Sequence, residues 1–182
     1  MSAVLLPWRI HLPIADQTCV RVALRERGER DPWPFTVALT ALQRLGATAG
    51  PRFRSLGAGR GEPLLASQEL AWRGCPLLLE TDRREAALTL PSWDEMADSE
   101  ATEEEFWELV DAFAAAAGAA HGAIGDGEAL DPAAPGSSET LRHALGAHHA
   151  LLVPGACDGV SPAWLAAPYR ELPLSGLTVL LR

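Results

Sequence analysis

The chain has 182 residues, of which 48% are hydrophobic, so it can bury a core without disulfides or metals. Its formal net charge is −9, from 24 acidic and 15 basic side chains, and every basic one is arginine. An acidic chain without a basic stripe is a poor nucleic-acid binder, because neutralisation of phosphates supplies most of that affinity. The exclusive use of arginine, with runs of alanine, is typical of a GC-rich bacterial genome.

The sequence also indicates the cellular compartment in which we expect the protein. Residues 1–6 contain no charged segment followed by a long apolar stretch, as a secretory signal would. No window approaches the roughly 20 apolar residues of a membrane helix. The three cysteines, Cys19, Cys75 and Cys157, are odd in number and far apart, which indicates a reducing compartment. We therefore expect a cytoplasmic protein that does not associate with membranes.

The first quarter of the chain predicts two strands and a helix. Apolar and polar residues alternate at 8–14 and at 19–25, which is strand periodicity and allows a hairpin. Asp31 and Pro32 favour the start of a helix, and Gly46 favours its end. The helix between them has one apolar stripe, formed by Phe35, Ala38, Leu39, Leu42 and Leu45.

The next segment predicts a loop and then a run of strands. Residues 50–66 are rich in glycine and are predicted to form a loop. Three short strands are predicted at 68–73, 76–81 and 85–90. The polar residues 82–84 join the last two as a hairpin. Residues 91–101 are predicted to be an acidic connection.

The strongest local signal is a capping box from Thr102 to Glu105, in which the two side chains satisfy each other's backbone amides. The carboxylates of Glu103, Glu104 and Glu105 also suit the positive end of the helix dipole. An amphipathic helix is predicted after them, with an apolar face formed by Phe106, Leu109, Val110, Phe113 and Ala117.

The remainder predicts further short elements. They are a strand at 119–124, a turn at 125–127, a short helix at 138–145, a strand at 149–153 and a final strand at 177–181. The order lacks the regular strand–helix alternation of a doubly wound sheet. We predict a single α+β domain over residues 1–182, with a mixed, mainly antiparallel sheet and two main helices packed on one face.

The sharpest enzymatic pattern is a Gly-x-Cys-x-Gly turn centred on Cys157, which follows an apolar strand as the nucleophile turn of α/β hydrolases does. A cysteine nucleophile needs a base, and His121 or His149 is the available partner. Every histidine that could serve precedes the cysteine, however, and Pro154 interrupts the approach. We favour an ordinary glycine-rich loop. A Cys-dependent hydrolase or transferase remains the alternative function.

No complete cofactor or metal motif is present in the sequence. His143, His148 and His149 do not have the i, i+4 spacing of a helical zinc site. The glycine-rich run 57–61 matches neither the dinucleotide nor the phosphate-loop pattern. We therefore expect no cofactor, no metal and no catalytic residues, and we favour a non-catalytic protein over an enzyme.

Seven carboxylates lie within the twelve residues 94–105, which indicates an acidic face suited to a basic partner protein. A solvated connection with a helix cap is the alternative interpretation. Trp107 lies beside the apolar stripe of its helix, and an exposed tryptophan is often an interface anchor. The predicted partner-binding residues are Trp93, Asp94, Glu95, Asp98, Glu103, Glu104 and Trp107.

The order of elements resembles that of the small immunity proteins of bacterial toxin–antitoxin and secretion-system cassettes. The resemblance rests on the early helix, the strand that closes on Ala87–Pro91, the amphipathic helix, the segment 119–124, and Trp164, Tyr169 and Leu172-Pro173 before an apolar strand. It implies a cytosolic, single-domain, acidic protein that neutralises a toxin by direct binding. No family motif is matched residue by residue, so the resemblance assigns no functional residues.

Overall fold

The computed structural model describes residues 17–28, 31–56, 65–126, 148–154 and 170–181. Within these ranges the chain forms nine strands and three helices. The strands are β1 (Gln17–Leu24), β2 (Thr48–Leu56), β3 (Leu65–Trp72), β4 (Cys75–Asp82), β5 (Glu85–Pro91), β6 (Ala119–Asp126), β7 (Ala150–Pro154), β8 (Arg170–Pro173) and β9 (Leu177–Leu181). The helices are α1 (Pro34–Arg44), α2 (Trp93–Asp98) and α3 (Glu103–Ala117).

The nine strands form one sheet in the order β2-β3-β4-β5-β1-β6-β7-β9-β8, and each neighbouring pair is antiparallel. Strand β1 lies at the centre, with Val20 opposite Leu88 of β5 and Ile124 of β6. Helices α1 and α3 contact each other; α1 also contacts β4, and α3 contacts β1 and β6. The predicted α+β fold, with a mainly antiparallel sheet and two main helices on one face, is confirmed. That residues 1–182 form a single domain stays a prediction.

The two main helices bury the apolar stripes that the sequence predicts. The stripe of α3 is at most 3% exposed at Phe106, Leu109, Val110, Phe113 and Ala117. Burial of a large apolar side chain stabilises a fold by about 1.5–3 kcal/mol, so this face anchors α3 to the sheet. In α1 the buried members of the stripe are Phe35, Ala38 and Leu42, while Leu39 and Leu45 pack partly against the same core.

Both ends of α3 follow from its sequence. Thr102 Oγ1 accepts a hydrogen bond from the Glu105 backbone N at 3.2 Å, and the Glu105 carboxylate accepts one from the Thr102 backbone N at 3.0 Å. The predicted capping box is therefore present. The helix ends at Gly118, whose φ of 75° is the left-handed conformation that glycine adopts without strain.

Helix α1 begins differently from the prediction. Its N-cap residue is Trp33, whose side chain makes no capping hydrogen bond, and a proline occupies the first helical turn. Asp31, the predicted cap, instead accepts a hydrogen bond from the Gly28 backbone N at 2.7 Å. The predicted end is confirmed, because Gly46 follows the helix with a φ of 90°.

The loop predicted for residues 50–66 is wrong at each of those residues that the structure describes. Residues 48–56 form the edge strand β2, and β3 begins at residue 65. Nearly all side chains of β2 are exposed, so the strand lacks the apolar alternation that reveals half-buried strands. Gly50 and Pro51 are also typical of loops, although an edge strand tolerates proline. Residues 57–64 lie outside the described residues.

The acidic connection predicted for 91–101 contains the short helix α2. Ser92 and Glu95 form a second capping box: Glu95 N donates to Ser92 Oγ and Ser92 N donates to Glu95 Oε2, each at 3.3 Å. The Ser-x-x-Glu spacing was visible in the sequence. A helix of six residues is too short to show periodicity, however, and Met96 is its one side chain in the described core.

Other predictions have mixed outcomes. Strand β8 was not predicted, and Gly125 and Asp126 belong to β6 rather than to a turn. Outside the described residues lie the strand predicted at 8–14, the short helix at 138–145 and the turn around Cys157. Among the helices that the structure describes, none is long and apolar enough to cross a membrane.

Candidate functional site: an acidic groove beside α2

An open groove lies between α2 and the turn that joins β3 to β4. Its volume is about 530 Å³. The residues that line it are Arg73, Gly74, Cys75 and Pro76 from the turn and β4, Pro91 from the end of β5, and Glu95, Asp98, Ser99 and Glu100 from α2 and the segment after it. Part of the predicted acidic segment therefore borders a concave surface.

One wall of the groove is the tight turn between β3 and β4. Trp72 and Cys75 pair across the sheet, which leaves Arg73 and Gly74 as a two-residue loop. Both have positive φ, 49° for Arg73 and 77° for Gly74, as a hairpin turn of this length requires. A side chain in this left-handed region costs roughly 1–2 kcal/mol, so glycine would suit position 73 better than arginine does.

An ion pair offsets part of that cost. The Arg73 guanidinium donates to Glu105 Oε1 at 2.6 Å, and thereby joins the β3–β4 turn to the first turn of α3. The pKa of Glu105 is lowered from its ordinary value of 4.5, chiefly by the backbone hydrogen bond from Thr102 and further by the charge of Arg73. Glu105 is thus held ionised as a partner for Arg73.

The opposite wall is α2 and the segment that follows it. Met96 is 3% exposed and fixes the helix to the core. Ser99 Oγ donates to the Met96 carbonyl oxygen at 2.6 Å and accepts from the Ala101 backbone N at 3.1 Å, which holds the short connection to α3. The acidic side chains of this wall therefore project from a backbone that is tied down at both ends.

The groove carries a net negative charge. Among the described lining residues Arg73 is the one cation, and it pairs with Glu105. Three further lining residues are acidic and exposed: Glu95, Asp98 and Glu100. A basic side chain that entered the groove would therefore meet more acidic than basic side chains among the described lining residues.

Six of the seven predicted partner-binding residues separate into three groups. Glu95 and Asp98 line the groove. Glu103 and Glu104 lie in the first turn of α3, outside the groove lining, and Glu104 is exposed. Trp93 and Asp94 form the start of α2, but their side chains lie outside the described part of the structure.

Trp107 is buried, although its position beside the apolar stripe allowed it to be partly exposed. It is 7% exposed and its ring packs edge-on against Phe106, with ring centroids 5.0 Å apart. Its Nε1 donates to Glu103 Oε1 at 3.4 Å. Trp107 therefore belongs to the core, and its contact partly engages Glu103 as well.

Sequence reasoning missed Arg73, which sits 32 residues before its partner Glu105. No local sequence pattern predicts this ion pair, because only the packing of the β3–β4 turn against α3 brings Arg73 and Glu105 together. Glu100 was included in the acidic segment but not among the predicted binding residues.

The described part of the structure offers little for cysteine or metal chemistry. Burial raises the pKa of the Cys19 thiol, so this cysteine is held in the neutral form. Cys75 and His149 are also buried. Among the described residues there is no cluster of three or more histidine, cysteine or acidic side chains that could hold a metal ion. Because Cys157 lies outside those residues, its proposed nucleophilic role stays a prediction.

Comparison with known proteins gives no family. No family model matches the chain, and no curated protein matches it. The solved structures include a similar chain, the Pseudomonas aeruginosa T6SS protein PA0821, with a TM-score of 0.47 and 11% sequence identity. The similarity covers 92% of this chain and 68% of that one. At this TM-score the likeness is partial and assigns no function.

Proposed function

We propose that this chain is a non-catalytic protein-binding module whose acidic groove receives a basic segment of a partner protein. The observation that carries the proposal is the excess of acidic side chains, Glu95, Asp98 and Glu100, around a concave surface. Pro76 and Pro91 also line the groove. The exposed ring of Pro76 offers apolar contact to the methylene stem of a lysine or arginine whose charged head meets the carboxylates.

The strength of such binding depends on more than the groove. Exposed ion pairs contribute about 0–1 kcal/mol each, so three carboxylates alone do not make a stable complex. A specific interface involves roughly 20–30 residues on each partner, which exceeds the nine described residues that line the groove. The interface would therefore extend along the acidic segment to Asp94, Glu103 and Glu104. The carboxylates would mainly raise the association rate and exclude acidic competitors.

We further propose that the partner is a toxin and that this chain is its cytoplasmic immunity protein. The support is the acidic balance of the chain and the resemblance of its element order to small bacterial immunity proteins. Neutralisation would then result from occupation of a basic surface of the toxin rather than from any reaction.

The test is affinity capture from the native cell lysate with two matched double variants. Asp98→Arg/Glu100→Arg reverses two groove charges outside the capping boxes, whereas Glu26→Arg/Glu108→Arg makes the same charge change at exposed residues away from the groove. We expect wild type and the Glu26/Glu108 variant to capture one basic protein in stoichiometric amount, and the groove variant to lose it. Capture should weaken as salt rises, because salt screens exposed charges.

Two results would contradict the proposal. One is equal capture of the same partner by the groove variant and wild type. The other is the absence of any basic protein among those captured by wild type. For the toxin hypothesis, co-expression with the captured protein should rescue growth of the host, and the groove variant should not.

A further inference from the structure

Among the described residues, strand β2 forms one edge of the sheet and has no partner strand on its outer side. It pairs with β3 on one side, and the strand order of the described residues places it at the end of the sheet. Phe53 is 53% exposed and Leu56 is 62% exposed; they are the large hydrophobic side chains that the described surface leaves exposed. Open edges with apolar side chains are templates for pairing with another strand.

The first half of β2 is protected against such pairing and the second half is not. The register with β3 shifts between Ala49 and Phe53, and Pro51 within this bulge has no backbone N–H to donate. From Phe53 to Leu56 the pairing with β3 is regular. Among the described residues, this regular half has no partner strand on its outer side, and Arg52 directly precedes it.

The side chains of the open edge alternate between two faces of the sheet. Phe53 lies on the helix side, with its ring centroid 5.7 Å from that of Phe35 in α1. By alternation Arg52, Arg54 and Leu56 point to the other face. Arg52 is 72% exposed at its side chain and pairs with Glu69 of β3 at 3.3 Å. Arg54 is exposed and has no ion-pair partner among the described residues.

A second copy of the chain is a poor partner for this edge in the registers centred on Arg52, Phe53 or Arg54. In a two-fold antiparallel pair whose symmetry axis passes beside Phe53, Arg52 of each copy lies opposite Arg54 of the other copy. An axis beside Arg52 or beside Arg54 sets that arginine opposite itself. Like charges directly opposite each other destabilise a strand pair, so each of these registers is disfavoured.

We propose that the edge from Arg52 to Leu56 binds an extended, acidic segment of a partner protein, which adds to the sheet beside β2. Carboxylates at alternate positions of that segment would lie opposite Arg52 and Arg54, and an apolar residue between them would lie beside Phe53. Backbone hydrogen bonds supply affinity in this mode of recognition, and the alternating side chains supply specificity. The inference is independent of the acidic groove, because it concerns another surface with the opposite charge.

The two surfaces are far enough apart to be tested separately. Phe53 is opposite Gln68 and Leu56 is opposite Leu65, so the open edge lies five to eight residues along β3 from Arg73 of the groove. At about 3.3 Å per residue this separation is roughly 15–25 Å. A failure of one proposal therefore leaves the other untouched.

The test uses a synthetic ten-residue peptide of alternating glutamate and valine, and a matched peptide with lysine in place of glutamate. Binding is followed by changes in the backbone amide NMR signals of the full chain. We expect the glutamate peptide to produce saturable changes at residues 52–56 and the lysine peptide to produce none.

A charge-reversed edge gives the sharpest control. Arg52→Glu/Arg54→Glu should bind the glutamate peptide at least about tenfold more weakly, which corresponds to about 1.4 kcal/mol, and should now bind the lysine peptide. Arg25→Glu/Arg44→Glu changes the net charge equally at exposed arginines outside β2 and should bind as wild type does.

Four results would overturn the inference: no saturable change at β2, equal binding of the two peptides by wild type, equal loss in both double variants, or changes confined to the groove. Concentration-dependent dimerisation that protects the β2 amides would overturn it too, since the edge would then be used by a second copy.

Discussion

Gln68 provides a test of how the irregular half of β2 is held to the sheet. This residue of β3 is 7% exposed on the helix side. Its side-chain amide donates to the carbonyl oxygens of Gly50 at 2.8 Å, Glu69 at 2.9 Å and Arg52 at 3.2 Å. The substitution Gln68→Met keeps the side chain's approximate length and volume but removes the donors.

The expected cost follows from the hydrogen bonds that are lost. The amide has two N–H groups, which three carbonyl oxygens share, so the loss corresponds to about two hydrogen bonds. At about 0.5–1.5 kcal/mol net for each bond, the free energy of unfolding should fall by about 1–3 kcal/mol. Gly50 is half-buried and Arg52 is exposed, so water can replace part of the lost bonding there. We therefore expect a loss in the lower part of that range, about 1–2 kcal/mol.

Two measurements check this expectation. Urea unfolding gives the change in the free energy of unfolding, and amide hydrogen exchange shows where protection is lost. Exchange should accelerate at residues 53–56 of β2 more than at the central strand β1, since the bulge no longer anchors the edge. Ser67→Ala is the matched control, because Ser67 lies on the same strand but on the other face, and its stability should stay within about 0.5 kcal/mol of wild type.

The reasoning would be refuted by a Gln68→Met protein as stable as wild type, or by one whose β2 amides exchange no faster. The first result would mean that water satisfies the three carbonyl oxygens fully. The second would mean that pairing with β3 alone holds the edge in place.

Two further predictions concern the start of α3. Thr102→Ala removes the acceptor for the Glu105 backbone N and should lower the free energy of unfolding by about 1 kcal/mol. In a chain of this size, that loss lowers Tm by about 2–4 °C. The control is Glu108→Gln, an exposed substitution later in the helix, which should leave Tm unchanged. The pKa of Glu105 is lowered in the folded state from 4.5, so its ionised form adds stability above about that pH and loses it as the pH falls through the folded pKa. Urea unfolding should therefore show Glu105→Gln as less stable than wild type at neutral pH and the difference shrinking as the pH falls below 4.5; a difference that persists unchanged in acid would contradict this sign.

Local sequence signals were sufficient where an element buries one face. The alternation of β1, the stripe of α3 and the capping box at Thr102 each depend on residues close together in the chain, and each is confirmed. Strand β2 and helix α2 gave no such signal. An edge strand with exposed side chains has no apolar face to repeat, and a helix of six residues is shorter than two turns.

Trp107 shows how tertiary packing widens a face beyond its stripe. The sequence places it about 100° around the helix from Phe106, beside rather than within the apolar stripe. Helix α3 contacts α1 on one flank and the sheet below, so its buried sector also includes Trp107 and Ala114. The periodicity of one helix carries no information about a neighbouring helix, and the exposure of Trp107 could not be deduced from it.

The sequence allowed two interpretations of the acidic segment 94–105, a helix cap and a binding face. In the structure, some of its carboxylates cap helices and others line the groove. Glu95 and Glu105 accept hydrogen bonds in the two capping boxes, and Glu105 also pairs with Arg73. Asp98 and Glu100 belong to neither box and line the groove. Reversal of these two charges should therefore alter capture of a basic partner while leaving both helix starts intact. Reversal of Glu105 would lower stability as well, so it could not separate binding from folding.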